Sequence, residues 1–224
     1  GHGHSQHRGA DASYQLLDYV YDLYALIEHN KWQKVNIIGH SLGAIVASIF
    51  TGTFPELVNK LVLIEALGAI SSKPQDTREL LKKSIVNKYQ EQTNKSSNKR
   101  YDSLEKAILA RTMSSDFNRD IAKILVERSL VEIDGGYKWR SDSSLKQLSP
   151  IRMVEQQAVD LLSGIEHETL LILGESGYLS LRKTLTERMA VMPNLNVHTL
   201  AGGHHLHMEH PEPVWQLISQ HLFK

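Results

Sequence analysis

The sequence predicts an α/β fold in which a mostly parallel sheet carries flanking helices and is interrupted by a long, mostly helical insertion. Three observations carry that expectation. Short apolar runs such as Val35-Asn36-Ile37-Ile38 and Leu170-Leu171-Ile172-Leu173 alternate with segments whose apolar residues recur every three or four positions. That alternation is the mark of buried parallel strands joined by helical crossovers. Between about residues 68 and 165 the texture turns helical, and buried-strand texture then returns at 170.

The first helix is expected from Asp11 to about Asn30, because Leu16, Val20, Leu23 and Ile27 fall on one face. The run at 35–38 stops at Gly39 and reads as a strand buried on both faces. Residues 42–54 then read as a helix whose small residues Gly43, Ala44, Ala47 and Ser48 allow close packing on the sheet. A second strand follows at 61–64. Inside the insertion, helices are expected near 76–92, 102–113, 118–130 and 150–164. Asp134-Gly135-Gly136 marks a tight turn between two short strands. Strands at 170–173 and 195–200 and a last helix carrying Val214, Leu217, Ile218 and Leu222 complete the chain.

Composition narrows the function classes. The 224 residues hold 25 basic and 25 acidic side chains, 41% hydrophobic residues and no Cys. A formal charge of zero argues against a nucleic-acid binder or a protein built for anionic membranes, since both need excess Lys and Arg. Without Cys there is no disulfide, thiol nucleophile or thiolate zinc site. No apolar run approaches the roughly 20 residues of a membrane span, and no signal-peptide pattern opens the sequence. A cytoplasmic location is the expectation from these features.

Gly39-His40-Ser41-Leu42-Gly43 fits G-x-S-x-G, with Ser41 between a buried strand and a helix. A sharp strand-to-helix turn of this kind projects a serine hydroxyl at the carboxyl end of the sheet, with flanking glycines relieving Cβ clashes. The helix N-terminus above it favours a developing anion, with the Leu42 N–H as one oxyanion donor. The competing assignment is that Ser41 merely caps the helix.

On these residues the sequence resembles the α/β-hydrolase superfamily. Gly1-His2-Gly3-His4-Ser5 is similar to the loop after the family's fourth strand, and Phe54-Pro55-Glu56-Leu57-Val58 follows the family habit after the elbow helix. Gly136-Tyr137-Lys138-Trp139-Arg140-Ser141-Asp142 resembles a stretch in the insertion of serine hydrolase-like proteins. The resemblance implies an α/β-hydrolase core at 1–67 and 166–224 and a helical cap at 68–165. It also implies that the family's first strands, with the loop supplying the second oxyanion donor, are missing ahead of Gly1.

A base must reach Ser41 from a loop at the same sheet edge, and the His-rich stretch 202–211 after the last strand is placed for that. The resemblance selects His204, which follows Gly203 and precedes Glu209 by five residues. His205, His207 and His210, with His2, His4 and His7, raise a metal site as a rival. The paucity of carboxylates there argues against a metal, and no cofactor is expected. For the acid, Gly177 stands where family members commonly carry an Asp. Some relatives, among them haloalkane dehalogenases, place it after the strand that follows the elbow helix, about 24 residues beyond the nucleophile. Glu65 is 24 residues beyond Ser41. It ends an apolar run, where an unpaired carboxylate is costly. Glu65 is preferred, with Glu175 as the alternative.

The resulting expectation is a cofactor-independent serine esterase acting on a small-molecule carboxylic ester, thioester or amide. Tyr137, Trp139 and His40 are candidates to line the substrate pocket. Residues 73–100 hold eight Lys or Arg against three acids, a run that reads as a solvated helix face or as steering for anionic substrates. The rival class is a catalytically inactive binding protein on the same fold, or an inactive fragment.

Overall fold

The computed structural model describes residues 1–9, 12–93, 100–178, 182 and 184–223. Asp11, Lys95 and Lys99 lie outside the described residues. In chain order the elements begin with α1 (Leu16–Asn30), β1 (Val35–His40), α2 (Leu42–Thr53) and β2 (Val58–Ile64). They continue with α3 (Thr77–Thr93), β3 (Arg100–Tyr101), α4 (Leu104–Met113), α5 (Arg119–Ser129), β4 (Leu130–Ile133) and β5 (Gly136–Trp139). The last are α6 (Glu155–Ser163), β6 (Thr169–Gly174), α7 (Leu185–Ala190), β7 (Leu195–Leu200), α8 (Leu206–Glu209) and α9 (Pro211–Leu222).

These elements pack as two compact units. A sheet unit comprises Leu16–Thr77 and Arg152–Lys224, and a helical unit comprises Gly1–Gln15 and Arg78–Ile151. In the sheet unit, four parallel strands run in the order β1-β2-β6-β7. Side chains alternate across β2 and β6, as a period of two requires. Leu61, Leu63, Leu171 and Leu173 enter a core with Phe50 of α2, Ile27 of α1 and Leu162 of α6. Val62, Ile64, Leu170 and Ile172 face the other way, against Val214 and Ile218 of α9 and Leu206 of α8. Both faces of the central pair are therefore covered, and each fully buried Leu or Ile contributes about 1.5–3 kcal/mol.

β1 departs from the strand buried on both faces that its sequence suggests. The α9-side cluster stops at β2, so Ile38 of the outer strand is left 49% exposed. α1 also begins later than expected, at Leu16. Tyr14 belongs instead to the helical unit, where its hydroxyl donates to Asp142 at 2.9 Å and accepts the Arg8 N–H at 2.8 Å. α7, α8 and the two-residue β3 carry too little periodicity to be read from sequence.

The helical unit is built from helices with side-chain caps and a small antiparallel sheet. Ser103 caps α4 by accepting the Lys106 N–H, and Asn118 caps α5 by accepting those of Asp120 and Ile121. The sheet order is β3-β5-β4. Gly135 turns at φ 75° between β4 and β5, as the Asp-Gly pair predicts. The first residues join this unit through the Asp142 N–H bonded to the Gly1 carbonyl at 2.9 Å and His7 bonded to the Arg140 carbonyl at 2.7 Å.

Candidate active site

The parallel register brings the carboxyl ends of the four strands to one edge, with His40 beside Ile64, Ile64 beside Ile172 and Gly174 beside Leu200. The loops leaving that edge carry Ser41, Glu65, Tyr178 and His204. The ladder even continues one residue past two strands: the Ser41 N–H donates to the Ile64 carbonyl and the Glu65 N–H to that of Ile172, each at 2.9 Å.

Ser41 occupies a left-handed conformation at φ 51°, ψ −114°. A non-glycine residue there costs about 1–3 kcal/mol and persists only where its surroundings dictate it. Two features dictate it here. The Ser41 N–H is held on β2, and the turn reverses tightly enough that a Cβ on Gly39 would lie 2.5 Å from the Gly43 carbonyl oxygen. A Cβ on Gly43, by contrast, would meet nothing within 4 Å among the described residues. Of the two glycines read as clash relief, only Gly39 serves that purpose. Ser41 makes no side-chain cap to α2. Its Oγ lies instead 2.8 Å from His204 Nε2.

His204 is buried, and its Nδ1 lies 3.1 Å from Glu65 Oε2. Because a carboxylate only accepts, Nδ1 carries the proton and Nε2 of the neutral ring accepts from the serine hydroxyl. Glu65 is 2% exposed and also sits at positive φ, 63°. Its Oε1 accepts the Gly174 N–H at 2.6 Å and an Arg182 N–H at 3.2 Å. Arg182 also donates to the Gly174 carbonyl. Burial raises the Glu65 pKa, but the hydrogen bonds from His204 and Gly174 and the Arg182 charge outweigh it and hold the carboxyl below its ordinary value.

Gly177 makes room for this carboxylate. A Cβ at position 177 would stand 2.0 Å from Glu65 Oε2, so no larger residue fits while Glu65 keeps its place. The Glu175 side chain is exposed. Arg182 and Tyr178 escaped sequence reading. The Tyr178 ring stacks on His204 with centroids 4.1 Å apart and planes 16° from parallel. No pattern in sequence marks either residue, although the absent side chain at Gly177 was itself a visible signal.

The loop bearing His204 is tied at successive residues. Ser176 Oγ donates to the Gly202 carbonyl at 2.9 Å, and the Gly203 N–H donates to Glu209 at 2.8 Å. His40 Nε2 lies 2.7 Å from the His204 carbonyl oxygen. Its ring centroid is 4.2 Å from that of His207 and 5.5 Å from that of His205. Among the described residues no group of three or more His, Cys, Asp or Glu is arranged to hold a metal ion. Tyr137 and Trp139 lie on β5 of the helical unit, where Trp139 packs edge-on against Tyr101.

A sheet whose strand ends gather a serine, a histidine and a buried carboxylate defines the class. The family profile described as alpha/beta hydrolase fold matches residues 1–211, and this chain belongs to that family. Among its relatives is a serine hydrolase-like protein of Danio rerio, 28% identical over 236 residues that span 99% of this chain and 71% of the relative. Serine hydrolase-like protein 2 of Homo sapiens is 25% identical over 238 residues, 99% of this chain and 76% of that protein. The solved structure of a hypothetical protein from Pseudomonas aeruginosa PAO1 is 32% identical, with a TM-score of 0.89 over 99% of this chain and 77% of its own. No described helix is long and apolar enough to cross a membrane.

Proposed function

We propose that this chain is a serine hydrolase that cleaves a small carboxylic ester, thioester or amide through an acyl-enzyme. The unbroken chain of hydrogen bonds from Ser41 through His204 to Glu65, at 2.8 and 3.1 Å, carries the reading. Kinship with serine hydrolase-like proteins supports it.

In the proposed cycle Ser41 Oγ attacks the substrate carbonyl carbon while its proton passes to His204 Nε2. The imidazolium so formed is stabilised by the Glu65 carboxylate, already charged because its pKa is depressed. The tetrahedral oxyanion is met by the N–H of Leu42, the first residue of α2, which has no acceptor four residues back. The carbonyl then re-forms, the leaving group departs with the proton from Nε2, and water repeats the sequence to release the acid and regenerate Ser41. The cycle as proposed draws only on side chains, a backbone N–H and water.

A fluorophosphonate probe tests the reading. Peptide mapping by mass spectrometry is expected to place a covalent adduct on Ser41. Ser41→Ala should abolish the adduct and lower ester turnover by about 10⁶-fold if the three groups act as a unit. An adduct that persists on the Ser41→Ala protein, or a wild-type protein that never labels, sinks it.

A further inference from the structure

His40 precedes the proposed nucleophile, and its side chain is turned toward the base. Nε2 lies 2.7 Å from the His204 main-chain oxygen across a sequence separation of 164 residues. A carbonyl only accepts, so Nε2 carries the hydrogen and the contact is a donated N–H···O bond. His204 is thereby held at two points by consecutive residues, at its imidazole by Ser41 Oγ and at its carbonyl by His40 Nε2.

Two further ties on the same loop come from elsewhere. Ser176 holds Gly202 and Glu209 holds Gly203, but neither belongs to the elbow. Only a tie from the elbow itself fixes the spacing between nucleophile and base against drift of one loop relative to the other. A displacement of about 1 Å at such a site can cost about 10²-fold in rate.

We infer that His40 is a positioning residue that locks the base-bearing loop to the nucleophile turn through its Nε2–H bond to the His204 carbonyl. The inference rests on the reading of Ser41 and His204 as nucleophile and base. Its chemistry suits the place. The groups facing the His40 ring are the imidazoles of His204, His205 and His207, and a cation there would oppose the imidazolium that His204 must become. Burial, reinforced by those neighbours and only partly opposed by the bond to His204, lowers the His40 pKa to about 4. The ring is therefore a neutral donor at pH 7.

Glutamine and leucine separate the bond from the bulk. A Gln side chain places its amide nitrogen the same number of bonds from the backbone as imidazole Nε2, whereas Leu keeps apolar volume and removes the donor. With p-nitrophenyl acetate as probe substrate, His40→Leu is expected to lower kcat by about 10–100-fold with KM changed less than about threefold. His40→Gln should recover most of that loss. Because a neutral His40 does not titrate with the base, the acid limb of kcat/KM for His40→Gln should overlay the wild-type limb above pH 5.

Circular dichroism and thermal melts establish that each variant is folded. Should His40→Leu not fold, the wild-type and His40→Gln comparison still decides, since the inference requires high activity and an unshifted acid limb in the latter. A His40→Leu protein as fast as wild type overturns the inference, as does a His40→Gln protein as slow as His40→Leu. Fluorophosphonate labelling of wild-type Ser41 runs in parallel: its absence removes the triad reading, whereas normal labelling with an unaffected His40→Leu removes only the role of His40.

Discussion

Ser41 and Glu65 sit at matching places in the fold and are held there in opposite ways. Each follows a parallel strand, each extends the ladder with its own N–H, and each adopts a positive φ, 51° and 63°, that non-glycine residues avoid. The Ser41 turn is shaped mainly within five residues, by the close approach at Gly39 and the start of α2, with one further tie from its N–H to the Ile64 carbonyl on the adjacent strand. The Glu65 carboxylate is held by Gly174, Arg182 and His204, at sequence separations of 109, 117 and 139. The Ser41 turn is largely a local solution to a backbone problem. The Glu65 pocket is a long-range assembly, with a buried charge whose cost is met only when distant partners arrive.

The comparison breaks first at Glu65 itself. In the proposed cycle Glu65→Gln removes the charge that would stabilise the imidazolium and should lower kcat about 10⁴-fold, while Glu175→Gln, on an exposed side chain, should leave it nearly unchanged. The reverse result would move the acid to Glu175. Stability carries an independent signature. A carboxyl with a depressed folded pKa stabilises above its ordinary value, 4.5, and loses that contribution as pH falls through the folded value. Urea titrations should find Glu65→Gln less stable than wild type at pH 7, with the gap closing as pH falls below 4.5. A gap that does not change with pH would show that the carboxylate charge is not what holds the pocket.

Gly177 sharpens the same contrast with a smaller effect. A Cβ 2.0 Å from Glu65 Oε2 must displace the carboxylate, so Gly177→Ala should lower kcat by about 10²-fold with a modest loss of stability. The coupling is specific. In a Glu65→Ala background the clash partner is gone, and adding Gly177→Ala should then change kcat little. Equal effects of Gly177→Ala in both backgrounds would separate Gly177 from the acid.

The same division explains what was legible in the sequence. β2 and β6 announced themselves as apolar runs, β7 more weakly through its alternation, and the elbow as five contiguous residues; a local solution leaves a local trace. The buried face of α9 was visible through Val214 and Ile218, because a helix face packed on a sheet must be apolar. Glu65 was singled out by its spacing from Ser41, by its place at the end of an apolar run and by Gly177 standing where family members commonly carry an Asp. Arg182 and Tyr178 were invisible because a single arginine and a single half-exposed tyrosine belong to no helical or strand period. The late start of α1 was hidden for the same reason. The hydroxyl of Tyr14 is taken by Asp142, 128 residues away, and helical periodicity cannot register that bond.

The elbow's own glycines offer the smallest and most local test. Both flank Ser41 in the G-x-S-x-G pattern, and pattern alone treats them alike. The geometry separates them: a methyl at Gly39 meets the Gly43 carbonyl at 2.5 Å and the Ala44 nitrogen at 2.7 Å, backbone atoms fixed by α2, whereas a methyl at Gly43 meets nothing within 4 Å among the described residues. Gly39→Ala should therefore cost about 1–3 kcal/mol through overpacking. Gly43→Ala, in the first turn of a helix, should be neutral or stabilising by up to about 1 kcal/mol. Paired denaturant unfolding curves decide it. Equal destabilisation by both would mean that Gly43 is needed for a reason other than space, and that the elbow is less local a solution than its contacts imply.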